Sequence, residues 1–284
     1  MLKHRVFLCS CILLVLAGSA RAEIRVVDDL GHQVVLSAPA RTVVSLAPHL
    51  TEMMFSLGAG DRVVATVRHS DFPAEAARIP QLGDAFSLSL EAVVEISPDL
   101  ILAWSTGGNR RTVERLKSLG LAVYLNEASS LEEIATNLER IGILVGEEAT
   151  GAGLAAEFRE TLGSLDHARS EPTPDVFFQI SDTQLYSVNN AHLIGQALSA
   201  CGARNVFGDL AIPVPMVSLE SVVEAQPDYI VVASPFEGFA TRWADEWQRL
   251  GWSDRIRYID ASLITRPGFR MLKGIKSLCN LLHD

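Results

Sequence analysis

Short apolar runs alternate with amphipathic stretches along most of the chain. The run at 100–103 is apolar on both faces, as a strand buried inside a parallel sheet requires, and the other runs resemble companion strands. The stretches between the runs, such as 51–57 and 110–119, have the composition of helices. Strands that alternate with helices predict an α/β fold with parallel sheets. The runs fall at 43–46, 63–66, 100–103, 122–125, 176–179, 229–232 and 257–259.

One pattern occurs twice along the chain. Ser89 begins the sequence SLEAVVE and Ser218 begins SLESVVE, and both copies continue into Pro-Asp and an apolar run. The offset between the copies is 129 residues. In each copy the serine is a candidate helix N-cap, the glutamate stands in the first helical turn, and the proline ends the helix. The repeat predicts two lobes built on the same unit.

The repeat also predicts where the chain divides. We expect an N-terminal lobe at 23–145 and a C-terminal lobe at 175–284. Residues 146–174 between them are rich in Ala, Leu, Glu and Arg, and they predict one connecting helix that closes at two prolines. The expected fold is two Rossmann-like α/β lobes joined by one long helix. A ligand cleft is expected between the lobes, at the carboxyl ends of the strands.

The first 22 residues have a different character from the rest. Lys3 and Arg5 precede an apolar run at 6–17, and the segment ends in Ala-Arg-Ala. This order is typical of a signal peptide that is cleaved during secretion. The apolar run is shorter than the roughly 20 residues of a membrane span. We therefore expect residues 1–22 to be removed and the mature protein to be periplasmic.

The mature chain is acidic. Loss of residues 1–22 removes three basic residues and no acidic one, which changes the formal net charge from −10 to −13. An acidic surface disfavours nucleic acid as a partner, because phosphate contacts require a basic face. Net charge bears on solubility and association, and it says nothing about the fold.

Two cysteines remain after the signal peptide, Cys201 and Cys279. An exported protein is in an oxidising compartment, where an even pair usually forms a disulfide. We predict a disulfide between these two residues. Two buried thiols are the alternative.

The sequence lacks the motifs of common enzyme classes. It contains no G-x-S-x-G, no P-loop, no H-E-x-x-H and no G-x-G-x-x-G after a strand. His69-Ser70-Asp71 could belong to a metal or acid–base site, but a polar loop at the rim of a cleft is the better interpretation. The remaining histidines of the mature chain lack metal-ligand spacing. We expect no catalytic residue and no bound metal, although an active site built from scattered residues would escape this test.

Eight segments of the mature chain carry a family resemblance: VSLAPHLTE (44–52), SDFP (70–73), SLE (89–91), PDLILAW (98–104), GGN (107–109), CGARNVF (201–207), PVPMVS (213–218) and LCN (278–280). Taken together, these segments resemble the periplasmic vitamin B12-binding proteins of ABC importers, and the resemblance covers nearly all of the mature chain. The same scaffold also serves relatives that bind haem or iron–siderophore complexes. The resemblance implies that the cargo is cobalamin or another corrinoid, that no cofactor is required, and that the protein is a monomer.

The resemblance implies ligand-binding roles for five residues. Trp104 and Phe86 match, or nearly match, aromatic residues that lie against the flat corrin ring, and Trp104 also follows a strand. Tyr186 matches an aromatic position of the second lobe. His69 is expected to border the cleft, with coordination of cobalt by its ring as an open alternative, and Arg266 matches a polar residue near the ligand side chains.

Glu91 and Glu220 match the two glutamates that dock this family onto arginines of the permease. One carboxylate at the same place on each lobe suits a two-fold symmetric transporter with its ATPase. The alternative is that both carboxylates merely stabilise a helix N-terminus.

One position departs from the family pattern. Val214, between two prolines, replaces a tryptophan that stacks on the ligand. Trp243 and Trp247 have the i, i+4 spacing of simple helix packing, so we do not place them in the site. Haem or an iron–siderophore complex remains the alternative cargo, and an α/β enzyme or a metallochaperone is the alternative class.

Overall fold

A computed structural model describes residues 23–84, 87–108, 110–166, 173–234 and 242–283. In these residues the strands form two four-stranded parallel sheets and one antiparallel hairpin. The strands are β1 (Ile24–Val27), β2 (Gln33–Leu36), β3 (Val43–Ser45), β4 (Val63–Ala65), β5 (Leu100–Trp104), β6 (Val123–Asn126), β7 (Asp175–Gln179), β8 (Arg204–Asn205), β9 (Tyr229–Ser234) and β10 (Ile256–Asp260).

The two parallel sheets have the same topology. The N-terminal sheet has the order β4-β3-β5-β6, and the C-terminal sheet has the order β10-β9-β7-β8. In each sheet the first strand of the lobe is flanked by the second strand on one side and the third on the other, with the fourth at the far edge. The sequence repeat therefore corresponds to a repeated topology. The predicted α/β class with two lobes is confirmed.

Helices connect the strands. Those of four or more residues are α1 (Pro48–Ser56), α2 (Leu90–Ile96), α3 (Arg110–Ser118), α4 (Leu131–Val145), α5 (Glu148–Asp166), α6 (Leu193–Ala200), α7 (Leu219–Ala225), α8 (Ala244–Arg249), α9 (Ala261–Ile264) and α10 (Met271–His283). In the described part of the chain, no helix is long and apolar enough to cross a membrane.

The repeated helices α2 and α7 begin and end alike. The hydroxyl of Ser89 accepts the amide hydrogen of Ala92, and the hydroxyl of Ser218 accepts that of Ser221. These are the N-caps that the sequence predicts. Each helix then ends at a residue with left-handed backbone. The repeat thus places the glutamates of its two copies at the same point of two equivalent helices.

The helix α5 lies within the segment predicted to connect the lobes, and it begins later than predicted. Gly146 has φ 74° and ends α4, so α5 starts at Glu148. The two helices then fold against each other. Arg159 of α5 donates hydrogen bonds of 2.7 and 2.6 Å to Glu132 and Glu139 of α4. The helix α5 is therefore fastened to α4.

The predicted disulfide is confirmed. Cys201, directly after α6, is bonded to Cys279 of α10. The C-terminal lobe also contains a cluster of aromatic residues in which Trp247 is fully buried, and its ring lies 6.1 Å from that of Trp243. Both tryptophans belong to, or pack against, the core of that lobe.

Candidate functional site

The lobes meet where their strands end. On one side, the loop after β10 approaches the loop after β4, and these loops enclose a cavity of about 470 Å³. On the other side, the side-chain amide of Gln196 donates a hydrogen bond of 2.8 Å to the carbonyl of Ser129. It also accepts one of 3.1 Å from the backbone amide of Leu131. The cavity is lined by Asp71, Phe72, Asp260, Ala261, Ser262, Thr265, Arg266 and Arg270, which come from both lobes.

Arg266 joins the two lobes at this cavity. Its Nη1 donates 2.7 Å to Glu52 and 2.8 Å to Asp71, and its Nη2 donates 3.1 Å to the carbonyl of His69. All three acceptors belong to the N-terminal lobe, whereas Arg266 follows α9 in the C-terminal lobe. Charge-assisted hydrogen bonds of this kind are about twice as strong as neutral ones. Arg266 is therefore committed to a contact between the lobes.

The pKa values at this contact reflect the pairing. Burial alone would lower the pKa of Arg266, but its hydrogen bonds to Asp71 and Glu52 outweigh burial and raise the pKa above its ordinary value. Burial acts in the opposite sense on Asp71, yet the hydrogen bond and charge of Arg266 lower the pKa of that carboxyl. Both groups are charged around neutral pH.

A cluster of buried hydroxyl groups holds the loop that carries His69 and Asp71. The oxygens of Thr51 and Ser45 lie 2.8 Å apart, and those of Thr66 and Ser70 also lie 2.8 Å apart. A contact of 2.9 Å between Thr51 and Thr66 joins the two pairs. Buried hydroxyl groups that satisfy one another fix the surrounding backbone. Ser70 is therefore an anchor of the loop, whereas its neighbours His69 and Asp71 are exposed.

Trp104 lies at the carboxyl end of β5 and is half-buried. Its ring packs against the backbone of Gly107, where a Cβ atom would lie 1.8 Å from the indole. The ring of His49 meets it edge to face, with centroids 5.4 Å apart. The strand and these two contacts fix the direction of the indole. Trp104 also borders a small pocket at the end of the sheet with Leu46 and Ala103.

His49 is fully enclosed at the start of α1. Its Nε2 lies 2.8 Å from the Oδ1 of Asn126, at the end of β6. Burial lowers the pKa of His49 to about 4, although the contact with Asn126 acts to raise it. The imidazole is therefore neutral at physiological pH. His49 and Glu52 are three residues apart on α1, so one helix links Trp104 to the arginine contact.

The structure places the other predicted ligand-binding residues as follows. Tyr186 is half-buried, and its carbonyl accepts 3.0 Å from the amide of Ile180, directly after β7. It also forms an antiparallel bridge with Met216, whose side chain is 65% exposed. Phe86 lies outside the described residues. Trp104 lies at the carboxyl end of a strand and Tyr186, His69 and Arg266 lie after strands, as a cleft between parallel sheets requires.

The two predicted docking glutamates are exposed in the first turn of α2 and of α7. For Glu220, a hydrogen bond from its own backbone amide and one with Ser218 lower the pKa of the carboxyl. Glu91 and Glu220 thus occupy equivalent surface positions, one in each lobe.

Sequence reasoning missed two residues of this region, namely His49 and Glu52. Glu52 is only 2% exposed, and an acidic residue at a buried helix position is the signal that could have singled it out. Its partner is 214 residues away, however, and no spacing rule connects them. In the described ranges, no group of three or more His, Cys, Asp or Glu side chains is arranged to hold a metal ion.

Comparison with known proteins defines the class. The periplasmic binding protein family matches residues 43–277, and the chain belongs to this family. The vitamin B12-binding protein of Vibrio parahaemolyticus is 31% identical over 246 residues, which are 85% of this chain and 89% of that protein.

Solved structures agree with this assignment. The crystal structure of the periplasmic vitamin B12-binding protein BtuF of Vibrio cholerae matches with a TM-score of 0.77 at 30% identity, over 86% of this chain and 97% of that one. The periplasmic haem-binding protein HutB of Vibrio cholerae matches with a TM-score of 0.75 at 22% identity, over 86% of this chain and 99% of that one. The second likeness shows the fold alone.

Proposed function

We propose that this protein is a periplasmic solute-binding protein that captures cobalamin, or another corrinoid, and delivers it to an ABC permease with its ATPase. The observation that carries the proposal is the agreement of two comparisons. Proteins named for vitamin B12 binding match about 30% of residues over most of the chain, and BtuF matches the fold at the same identity. Bound cobalamin is cargo, since no bond is made or broken, and the protein is neither an enzyme nor dependent on a cofactor.

We propose that the cargo lies between the lobes, against the residues that follow the strands. Trp104 and Phe86 supply aromatic surface to the flat ring, Tyr186 and His69 border the cleft, and Arg266 lies near the ligand side chains. Aromatic stacking and burial of apolar area provide most of the affinity for a large flat ligand. The fixed direction of the Trp104 indole supports this role, because a rigid contact loses little entropy on binding.

The alternative cargo is haem or an iron–siderophore complex, because the haem-binding protein HutB has a similar fold. Such ligands carry negative charge and favour a cleft with available cations. Arg266 and Arg270 at the cavity are already paired with carboxylates. This pairing favours a ligand whose periphery carries neutral amides, as cobalamin does.

We propose that Glu91 and Glu220 dock the two lobes onto basic residues of the permease. Their exposure and equivalent positions support the proposal, because a two-fold symmetric partner requires the same group twice. The protein is exported by the signal peptide at 1–22, which lies outside the described residues, and acts as a monomer of two lobes with a connecting helix. The stiff helix α5 limits the extent of closure.

Uptake of radiolabelled cyanocobalamin tests capture and delivery together. The native host is compared before and after deletion of the gene, at nanomolar cyanocobalamin. We expect uptake to fall to the background of diffusion and to return when the gene is restored. Unchanged uptake of cyanocobalamin together with reduced use of haemin would contradict the corrinoid proposal and support the alternative cargo.

A further inference from the structure

Glu52 is a carboxylate of the N-terminal lobe that is buried against two arginines of the C-terminal lobe. Its Oε1 lies 2.7 Å from Nη1 of Arg266 and 2.8 Å from Nη1 of Arg270. The contact with Arg270 is an ion pair without hydrogen-bond geometry. In the part of the chain that the structure describes, no group is hydrogen-bonded to Oε2. A buried carboxylate is costly unless it is paired, so the two guanidinium groups hold Glu52 in place.

The same two arginines form part of the wall of the cavity between the lobes. Arg266 also pairs with Asp71, whose side chain is 63% exposed. The guanidinium of Arg270 stacks on the ring of Phe72, 3.4 Å from its centroid. Glu52 lies behind this wall, because its side chain is only 2% exposed whereas those of the two arginines are 17% and 19% exposed. The carboxylate of Glu52 therefore fixes the positions of both arginines from the side that faces away from the cavity.

The charges of the wall decide which ligands it favours. The negative charges of Glu52 and Asp71 balance the positive charges of Arg266 and Arg270, and Asp260 adds a further negative charge. A ligand carboxylate placed here would lack an unpaired cation and would face the two exposed carboxylates of Asp71 and Asp260. A primary amide is neutral, and it can donate to Asp260 and accept from a guanidinium or from the hydroxyl of Ser262.

We propose that Glu52 is a specificity-determining residue that neutralises Arg266 and Arg270, so that the cleft selects corrinoids with amide side chains over those with carboxylates. This inference rests on the proposed function, since it takes a corrinoid as the cargo. Glu52 acts through the arginines and does not touch the ligand.

The test is the substitution Glu52→Gln, which keeps the shape of the side chain and removes its charge. The probes are cyanocobalamin and its separated b-, d- and e-monocarboxylic acids, in which one propionamide is hydrolysed. Titration calorimetry gives the ratio of affinities of each acid to cyanocobalamin. We expect Glu52→Gln to shift this ratio toward at least one acid by about tenfold, because an uncompensated arginine becomes available to the carboxylate.

The ratio separates specificity from damage to the fold, since a poorly folded variant loses affinity for all four ligands alike. Asp71→Asn removes the exposed partner of Arg266, and we expect a smaller shift in the same direction. Glu147→Gln is the matched control. The carboxylate of Glu147 pairs with Arg62 at a distance of 2.6 Å, and neither residue lines the cavity. This control is expected to leave every ratio unchanged.

Two results would overturn the inference, and each identifies a different claim as wrong. Tight binding of cyanocobalamin by the wild-type protein with unchanged ratios in Glu52→Gln and Asp71→Asn would contradict the role of Glu52 alone. Failure of the wild-type protein to bind cyanocobalamin would contradict the proposed function, and the inference with it.

Discussion

His49 and Trp104 meet edge to face, with ring centroids 5.4 Å apart and an interplanar angle of 90°. His49 is in turn held by Asn126, so a chain of contacts at the carboxyl ends of β3, β5 and β6 fixes the indole. An edge-to-face arrangement is the preferred geometry of such rings. Trp104 is therefore presented to the cleft in one direction before any ligand arrives.

Substitution of Trp104 should weaken binding of the cargo. We expect Trp104→Ala to lower the affinity for cyanocobalamin about thirtyfold, on the order of 2 kcal/mol, because a rigid aromatic contact is lost. Trp104→Phe keeps a ring and should lose much less. Calorimetry with the three proteins measures the effect, and equal affinities for all three would exclude Trp104 from the site.

The buried imidazole of His49 should make stability depend on pH. Its pKa in the folded protein is about 4, against an ordinary value of 6.5 for histidine. The unfolded chain therefore binds more protons between these values, and the free energy of unfolding falls as the pH falls through this window. Because of His49, the free energy of unfolding should be about 3 kcal/mol lower at pH 4 than at pH 7.

Urea denaturation at several pH values between 4 and 7 measures this effect. The variant His49→Gln should show a shallower decline of the free energy of unfolding than the wild-type protein. Identical slopes for His49→Gln and the wild-type protein would contradict a neutral buried imidazole.

Charge reversal of both docking glutamates should separate transport from binding. We expect Glu91→Lys with Glu220→Lys to abolish uptake of cyanocobalamin and to leave its affinity unchanged, because both residues are exposed on α2 and α7. Glu157→Lys with Glu160→Lys, exposed on α5, makes the same change in net charge and should leave uptake intact. A loss of affinity for cyanocobalamin in the Glu91→Lys, Glu220→Lys variant would contradict the docking assignment.

Removal of the disulfide should lower stability. Cys201 and Cys279 are separated by 78 residues, and the loss of such a link costs about 4 kcal/mol in the chain-entropy account. Chemical denaturation of the double variant Cys201→Ala with Cys279→Ala tests this. An unchanged midpoint would show that the bond adds nothing to the folded state.

Much of the fold could be predicted because buried parallel strands are apolar on both faces. The predicted runs at 100–103 and 229–232 lie within β5 and β9. The hairpin of β1 and β2 is not predicted, because its strands carry only short apolar runs, at 26–27 and 34–36. The repeated serine caps could be predicted because capping is local, and each serine lies three residues from the amide that it accepts.

The site could be predicted only in part. Trp104 follows a strand, and this placement alone indicates a cleft. His49 and Glu52 act through partners that are 77 and 214 residues away, and such pairings depend on how the lobes assemble. The tie of Arg266 to the N-terminal lobe also could not be predicted, since its sequence position indicated only a polar residue near the ligand. Its role as a ligand contact stays a prediction.

Isothermal titration of the mature, ligand-free protein with cyanocobalamin, and with haemin for comparison, decides whether the cargo is a corrinoid. We expect tight one-to-one binding of cyanocobalamin and no comparable binding of haemin. Binding of haemin with none of cyanocobalamin would contradict it and direct attention to Tyr186 and His69 as candidate iron ligands.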